Sequence, residues 1–228
     1  MERLLDIFFS GMALIFLSPL LVPIVIILKC TGEGEVFFFQ ERMGRHGVLF
    51  KLFKFATMLK DSPNLGTGTV TIRGDPRVLP VGKFLRKTKI NELPQLLNIF
   101  FGDMSVVGPR PLTIQTFSSY SKITQDIIKE VRPGLSGVGS IIFREEEEIL
   151  HGANASIEFY DKVIAPYKGA LEGWFVLNKG IYIYFLTILI TIWVVFFSKS
   201  KVAWKMFRDL PEPPDELKSV LNYENFGK

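Results

Sequence analysis

The first thirty residues limit the fold most. Leu4–Leu28 runs for 25 residues with one charge, Asp6. As an α-helix rising about 1.5 Å per residue, it is long enough to cross a hydrocarbon core of about 30 Å. It does not read as a secretory leader, because the apolar run is too long and no small-residue cleavage site follows Leu28. Two prolines interrupt it. Pro19 has no N–H and its ring crowds the carbonyl of Ile15, so a kink is expected there. The Ser18 hydroxyl is expected to reach back to Leu14 or Ile15 and satisfy a freed carbonyl. Two geometries meet these constraints. One is a kinked spanning helix. The other is a re-entrant helix-break-helix whose flanking Arg3 and Lys29 snorkel to the same face. The residues alone do not choose between them.

The remainder is too charged for a polytopic membrane protein. Hydrophobic residues make up 48% of the 228 residues, yet 22% are charged. One part of the chain is therefore expected in lipid and another in water, with room for one sizeable domain and an appendage. The net charge of +4 points to an anionic partner, either nucleic acid or a membrane surface with a phosphorylated ligand. No aromatic-basic platform or groove-reading helix stands out, which argues against nucleic acid. Cys30 is the single cysteine, so no internal disulfide forms, and no Cys/His cluster suggests zinc.

The middle of the chain reads as a small mixed domain. Val36–Arg42 and Val48–Phe55 are predicted as paired strands around a turn at Gly44–Gly47, with His46 at the tip. The loop 61–75 is rich in Gly, Thr, Ser and Asn and is expected to close over a ligand. Pro80–Lys87 opens a helix with a basic face, and Leu93–Phe101 a second one with Pro94 in its first turn. Asn91 is a candidate N-cap for the latter. Thr113–Val131 is predicted as one amphipathic helix. Arg144–Glu148 is predicted to start another, its acids suiting the helix dipole. Helices carrying Glu158 and Tyr167-Lys168 are expected at the surface or near the membrane.

Ile181–Phe197 is uncharged over 17 residues, marginal for a span. Lys199, Lys201, Lys205 and Arg208 follow it, on the wrong side for a spanning helix under the positive-inside tendency. A helix lying in the membrane face is preferred. From Pro211 the tail is expected to be poorly ordered.

The densest chemistry lies in Lys87–Pro111, KTKINELPQLLNIFFGDMSVVGPRP. A carboxylate among cations in an apolar chain suggests a phosphorylated substrate. Arg110, stiffened by Pro109 and Pro111, is suited to a bidentate phosphate contact.

Five stretches together carry a resemblance: Ser18-Pro19, Phe39–Gly44, Lys54–Met58, Leu85–Leu96 and Gly102–Pro111. Over roughly residues 1–140 the chain resembles the monotopic phosphoglycosyl transferases, bacterial sugar transferases that initiate surface-polysaccharide and glycoprotein assembly. The resemblance implies an enzyme that moves a sugar-1-phosphate from a nucleotide-sugar, usually a UDP-sugar, to a membrane polyprenol phosphate such as undecaprenyl phosphate. It implies Mg²⁺, a two-step route through an aspartyl phosphosugar, and a site on the cytoplasmic face of the bacterial inner membrane. It favours re-entry at Ser18-Pro19. The fold class expected is α+β: a re-entrant helix over 1–30, a mostly helical catalytic domain with a short β-hairpin over 31–178, and an interfacial helix with a polar tail over 179–228. The site residues implied are Asn91 and Glu92 for catalysis and metal, with Lys54, Arg86 and Arg110 on the phosphates.

Two positions depart from the pattern. Asn91 stands where these enzymes carry the nucleophilic aspartate, and Ala56 where they often carry an arginine. An amide is a poor nucleophile and a weaker Mg²⁺ ligand than a carboxylate. Three outcomes are open: Glu92 as nucleophile, direct displacement with Glu92 as base, or a weakly active or inactive module that binds nucleotide-sugar or lipid phosphate or docks a glycosyltransferase. The sequence specifies neither the sugar nor the oligomeric state.

Overall fold

The structure is a computed structural model that describes residues 2–64, 75–144, 157–197 and 200–223. Helix and sheet are mixed, as expected. The chain divides into two compact units: Arg3–Glu41 with Lys51–Gly102, and Arg42–Phe50 with Asp103 onward.

The first unit begins with helix α1, Glu2–Cys30. It is long and apolar enough to cross a membrane. Helical pairing continues past Ser18-Pro19. Pro19 deprives the Ile15 carbonyl of its usual donor, and the Ser18 hydroxyl donates to that carbonyl at 2.7 Å, as the sequence predicts. Both ends of α1 touch its own unit. The Arg3 guanidinium donates to the carbonyls of Ile99 (2.5 Å) and Phe100 (2.7 Å). At the other end Ile24 and Leu28 join a core cluster with Phe55 and Leu85.

Strands β1 (Phe37–Met43) and β2 (Leu49–Phe55) form the predicted hairpin. Alternation places Phe37 against Phe55, ring centroids 5.7 Å apart, and Phe39 against Phe53 at 5.1 Å. Such cross-strand aromatic pairs fix the register. His46 lies in the tip turn with φ 58°. Helix α2 (Pro80–Lys87) starts on Pro80. Gly82 lets it approach Thr57: a Cβ at Gly82 would lie 2.1 Å from the Thr57 carbonyl oxygen. Ahead of α2, the buried Arg77 guanidinium is forked onto Asp75 (2.6 and 2.9 Å) and donates to the Ser62 carbonyl (2.7 Å). This triad ties together the ends of the 61–75 loop, whose residues 65–74 lie outside the described residues. Helix α3 follows at Gln95–Phe101 and stops at Gly102, φ 104°.

In the second unit, β3 (Ser105–Val107) pairs in parallel with β4 (Gly134–Ser136), a sheet the sequence reading does not contain. The single helix expected over Thr113–Val131 is two, α4 (Ile114–Ser118) and α5 (Lys122–Ile128). Ser121 breaks it by accepting from the Thr124 N–H at 3.2 Å, an N-cap that starts a new helix. Helix α6 is Val138–Ile142. The predicted helix start Arg144–Glu148 lies almost wholly outside the described residues. A π-helical turn, Tyr160–Ile164, leads into α7, Ala165–Asn178. Tyr167 and Lys168, expected near the surface, are buried.

Helix α8, Ile181–Phe196, is 16 residues, about 24 Å at 1.5 Å per residue, short of a bilayer core. Its Tyr184, Leu186, Thr187, Ile190 and Val194 are buried, and it packs on α6, β3 and β4. Tyr182, Leu189, Ile192, Trp193 and Phe196 are exposed. The tail, expected to be poorly ordered from Pro211, is instead packed over its described residues, 211–223. Leu217 and Leu221 are buried, the Tyr167 hydroxyl donates to the Pro211 carbonyl at 2.8 Å, and the Trp204 indole donates to Leu221 at 3.2 Å.

Candidate active site

Four of the five predicted polar site residues lie in the first unit. Lys54 comes from β2, and its ammonium lies 3.7 Å from Glu92 Oε1. Both side chains are mostly covered, 19% and 23% exposed. Glu92 sits in a 3₁₀ turn, Ile90–Glu92, and α2 packs against that turn. Arg86 is half-buried on α2, its guanidinium 3.7 Å from the Met58 sulfur.

Asn91 does not cap α3. Lys89 takes a left-handed φ of 60° and redirects the chain into the 3₁₀ turn, and α3 starts only after Pro94, with no side-chain cap. Asn91 is instead 8% exposed, and its buried Oδ1 has no hydrogen-bond partner. Buried polar atoms are rarely left so, and this one lies beside the Glu92 carboxylate in sequence. Ala56 is buried, its N–H bonded to the Val36 carbonyl, so this position lines the core.

Asn98, which the sequence reading passed over, holds β2 in place. It is fully buried. Its Oδ1 accepts from the Phe53 N–H at 2.9 Å, and its Nδ2 donates to the Lys51 carbonyl at 2.8 Å. One amide thus serves α3 as a substitute for a neighbouring strand, next to Lys54. Asn98→Ala is expected to cost roughly 2–4 kcal/mol, since two backbone groups lose their partner. Chemical denaturation reads this directly, and a loss below about 0.5 kcal/mol would mean that water replaces the amide.

Arg110 lies in the second unit and its side chain is exposed. The turn bearing it follows β3. The Gly108 N–H donates to Ser136 (2.9 Å), the Gly134 N–H to Pro109 (2.7 Å), and Arg42 to the Pro111 carbonyl (3.2 Å). The Arg110 N–H donates to Glu172 Oε1 at 3.4 Å. Glu172 is the other residue missed from sequence. Burial pushes its carboxyl up to about 7, against the opposing pull of the Arg110 N–H and the Lys168 and Arg110 charges.

Among the described residues no group of three or more His, Cys, Asp or Glu side chains is placed to hold a metal. Glu92 and Asn91, neighbours in sequence, each carry a side-chain oxygen, and that of Asn91 has no hydrogen-bond partner. That fits Mg²⁺, which takes one or two protein oxygens and completes its shell with phosphates and water.

A family model described as bacterial sugar transferase matches residues 1–198, and the chain belongs to that family. It is 35% identical over 204 residues to a UDP-glucose:undecaprenyl-phosphate glucose-1-phosphate transferase of Klebsiella pneumoniae, covering 87% of this chain and 41% of that one. It is 36% identical over 159 residues to the exopolysaccharide production protein ExoY of Rhizobium meliloti, covering 64% and 70% respectively. An undecaprenyl-phosphate galactose phosphotransferase of Salmonella typhimurium is 35% identical over 161 residues, 64% of this chain and 33% of its own. The chain thus spans less than half the length of two of these relatives.

Proposed function

We propose that this chain transfers a sugar-1-phosphate from a UDP-sugar to undecaprenyl phosphate or a similar polyprenol phosphate, starting a surface polysaccharide. The observation that carries this is the Lys54–Glu92 pair, 3.7 Å apart, in a chain of the sugar transferase family. The relatives' names supply the donor and acceptor classes.

Asn91 is buried and neutral, so we assign a direct displacement. An oxygen of the lipid phosphate forms a bond to the sugar-bearing phosphorus. The bond from that phosphorus to the bridging oxygen breaks, and nucleoside monophosphate leaves with the electron pair. Glu92 takes the proton of a monoanionic lipid phosphate as it attacks. Lys54 and Arg86, both in the first unit, offset phosphate charge, the main requirement in phosphoryl transfer; Arg110, in the second unit, is read on its own turn as a phosphate contact. Glu92 and Asn91 would hold Mg²⁺, which supplies further charge neutralisation on the pyrophosphate when bound.

The acceptor is a lipid, so the site belongs at a membrane face, and we assign the cytoplasmic face of the inner membrane. Re-entry of α1 is supported by its contacts at both ends with one unit, through Arg3 and through Leu28. The exposed apolar side of α8 suits the membrane interface.

The test is nucleoside monophosphate release from UDP-glucose and UDP-galactose by the chain in nanodiscs with undecaprenyl phosphate and Mg²⁺. Release should require the lipid, with no burst and no covalent phosphosugar when it is omitted. An adduct on Glu92 would replace direct displacement with a two-step route. One observation, the uncharged Asn91, favours a second reading, a binding module without turnover. Tight donor binding with no release across a broad donor panel would establish that reading and remove the first.

A further inference from the structure

The Gly108-Pro109-Arg110-Pro111 turn owns only two backbone N–H groups, because its prolines carry none. Gly108 spends its N–H on β4. That of Arg110 goes to Glu172 Oε1 on α7, 62 residues further on. The turn is also held through carbonyls, that of Pro109 by the Gly134 N–H and that of Pro111 by Arg42; among its amides, only that of Arg110 reaches α7.

The surroundings of Glu172 are shaped to admit its carboxyl. A Cβ on Gly139 would lie 2.4 Å from Oε1 and 3.0 Å from Cδ. A Cβ on Gly137 would lie 2.2 Å from the Gly108 carbonyl oxygen, and one on Gly134 would lie 2.0 Å from the Gly108 nitrogen. Only glycines let β3, β4 and the start of α6 close over this carboxyl. Glu172 is 3% exposed, and its Oε2 has no hydrogen-bond partner. Lys168, one turn earlier, has its ammonium over the rings of Phe143 (5.2 Å) and Tyr160 (5.9 Å). As packing, a buried carboxyl with a half-satisfied head is inferior to a leucine. Its contribution is to the turn rather than to the core.

We propose that Glu172 is a positioning residue for the transfer reaction, holding the Arg110 backbone through the one amide that the flanking prolines leave. This rests on the reading of Arg110 as a phosphate contact.

The experiment uses the full chain in nanodiscs and compares wild type, Glu172→Leu, Glu172→Gln and Gly139→Ala. Amide hydrogen exchange is read at Arg110, alongside kcat and KM for donor-dependent nucleotide release. Glu172→Leu and Gly139→Ala should speed Arg110 exchange by at least about tenfold and lower kcat by a similar factor. Glu172→Gln keeps an oxygen acceptor and should return both quantities to within about threefold of wild type. A purely structural role would lower the melting temperature without this selective change at Arg110 and without recovery in the glutamine variant. Unchanged Arg110 exchange in folded Glu172→Leu overturns the proposal, as does a glutamine variant as impaired as leucine. Where the leucine variant fails to fold, Gly139→Ala and Glu172→Gln decide. If wild type releases no nucleotide, the transferase reading falls by itself, and the exchange data still decide whether Glu172 holds Arg110.

Discussion

Glu92→Gln is expected to slow nucleoside monophosphate release by roughly a thousandfold, the middle of the range for losing a general base. The amide keeps the shape of the carboxylate and cannot take the proton of the lipid phosphate. It also gives up the charge that faces Lys54 at 3.7 Å. Both side chains are mostly covered, 19% and 23% exposed, so losing the pair should cost roughly 1–2 kcal/mol of stability, between the exposed and the fully buried limits. The large kinetic effect and the small structural one are therefore separable. Steady-state release is compared with the thermal melt of the same preparation. A folded variant within tenfold of wild type would move the base to another residue.

The parts of this fold that were readable have a local signature. The hairpin announces itself because Phe37, Phe39, Phe53 and Phe55 alternate along two strands and meet across them. The Ser18–Ile15 bond follows from what a proline removes one turn back. The Lys54–Glu92 pair has no such signature. It joins a strand to a 3₁₀ turn far along the chain, and only the family resemblance placed both residues in one site.

The β3–β4 pair escaped because each strand has three residues, too few to show alternation. Glu172 escaped because a single acid on a helix ordinarily faces water. The signal that could have found it lies elsewhere, in the glycines of Arg132–Gly139, RPGLSGVG. Backbone segments cross there at distances that forbid a Cβ, and a polar group enclosed by such a crossing has a purpose. Polarity hid the tail in the same way, although Leu217 and Leu221 are spaced one helical turn apart and are both buried.

Asn91→Asp should change the mechanism itself. The substitution is nearly isosteric, and it forfeits no hydrogen bond at Oδ1, which has none. It places a carboxylate where the phosphoglycosyl transferases that this chain resembles carry their nucleophile. That carboxylate can attack the sugar-bearing phosphorus and expel nucleoside monophosphate, leaving an acyl phosphosugar. The lipid phosphate then attacks the same phosphorus, and the carboxylate departs. Without lipid acceptor, the variant should release about one equivalent of nucleotide per chain and gain the mass of a phosphosugar, whereas wild type should do neither. With acceptor, turnover should rise by about tenfold, equivalent to about 1.4 kcal/mol of barrier. The residue is only 8% exposed, and burial raises a carboxyl's pKa. Since the ionised form is the nucleophile, the burst should grow as pH rises. Intact protein mass spectrometry after a donor-only incubation reads the adduct. A variant that binds donor without burst or adduct would mean that residue 91 is not aligned with the phosphorus, and that the direct route through Glu92 is set by geometry rather than by the loss of one carboxylate.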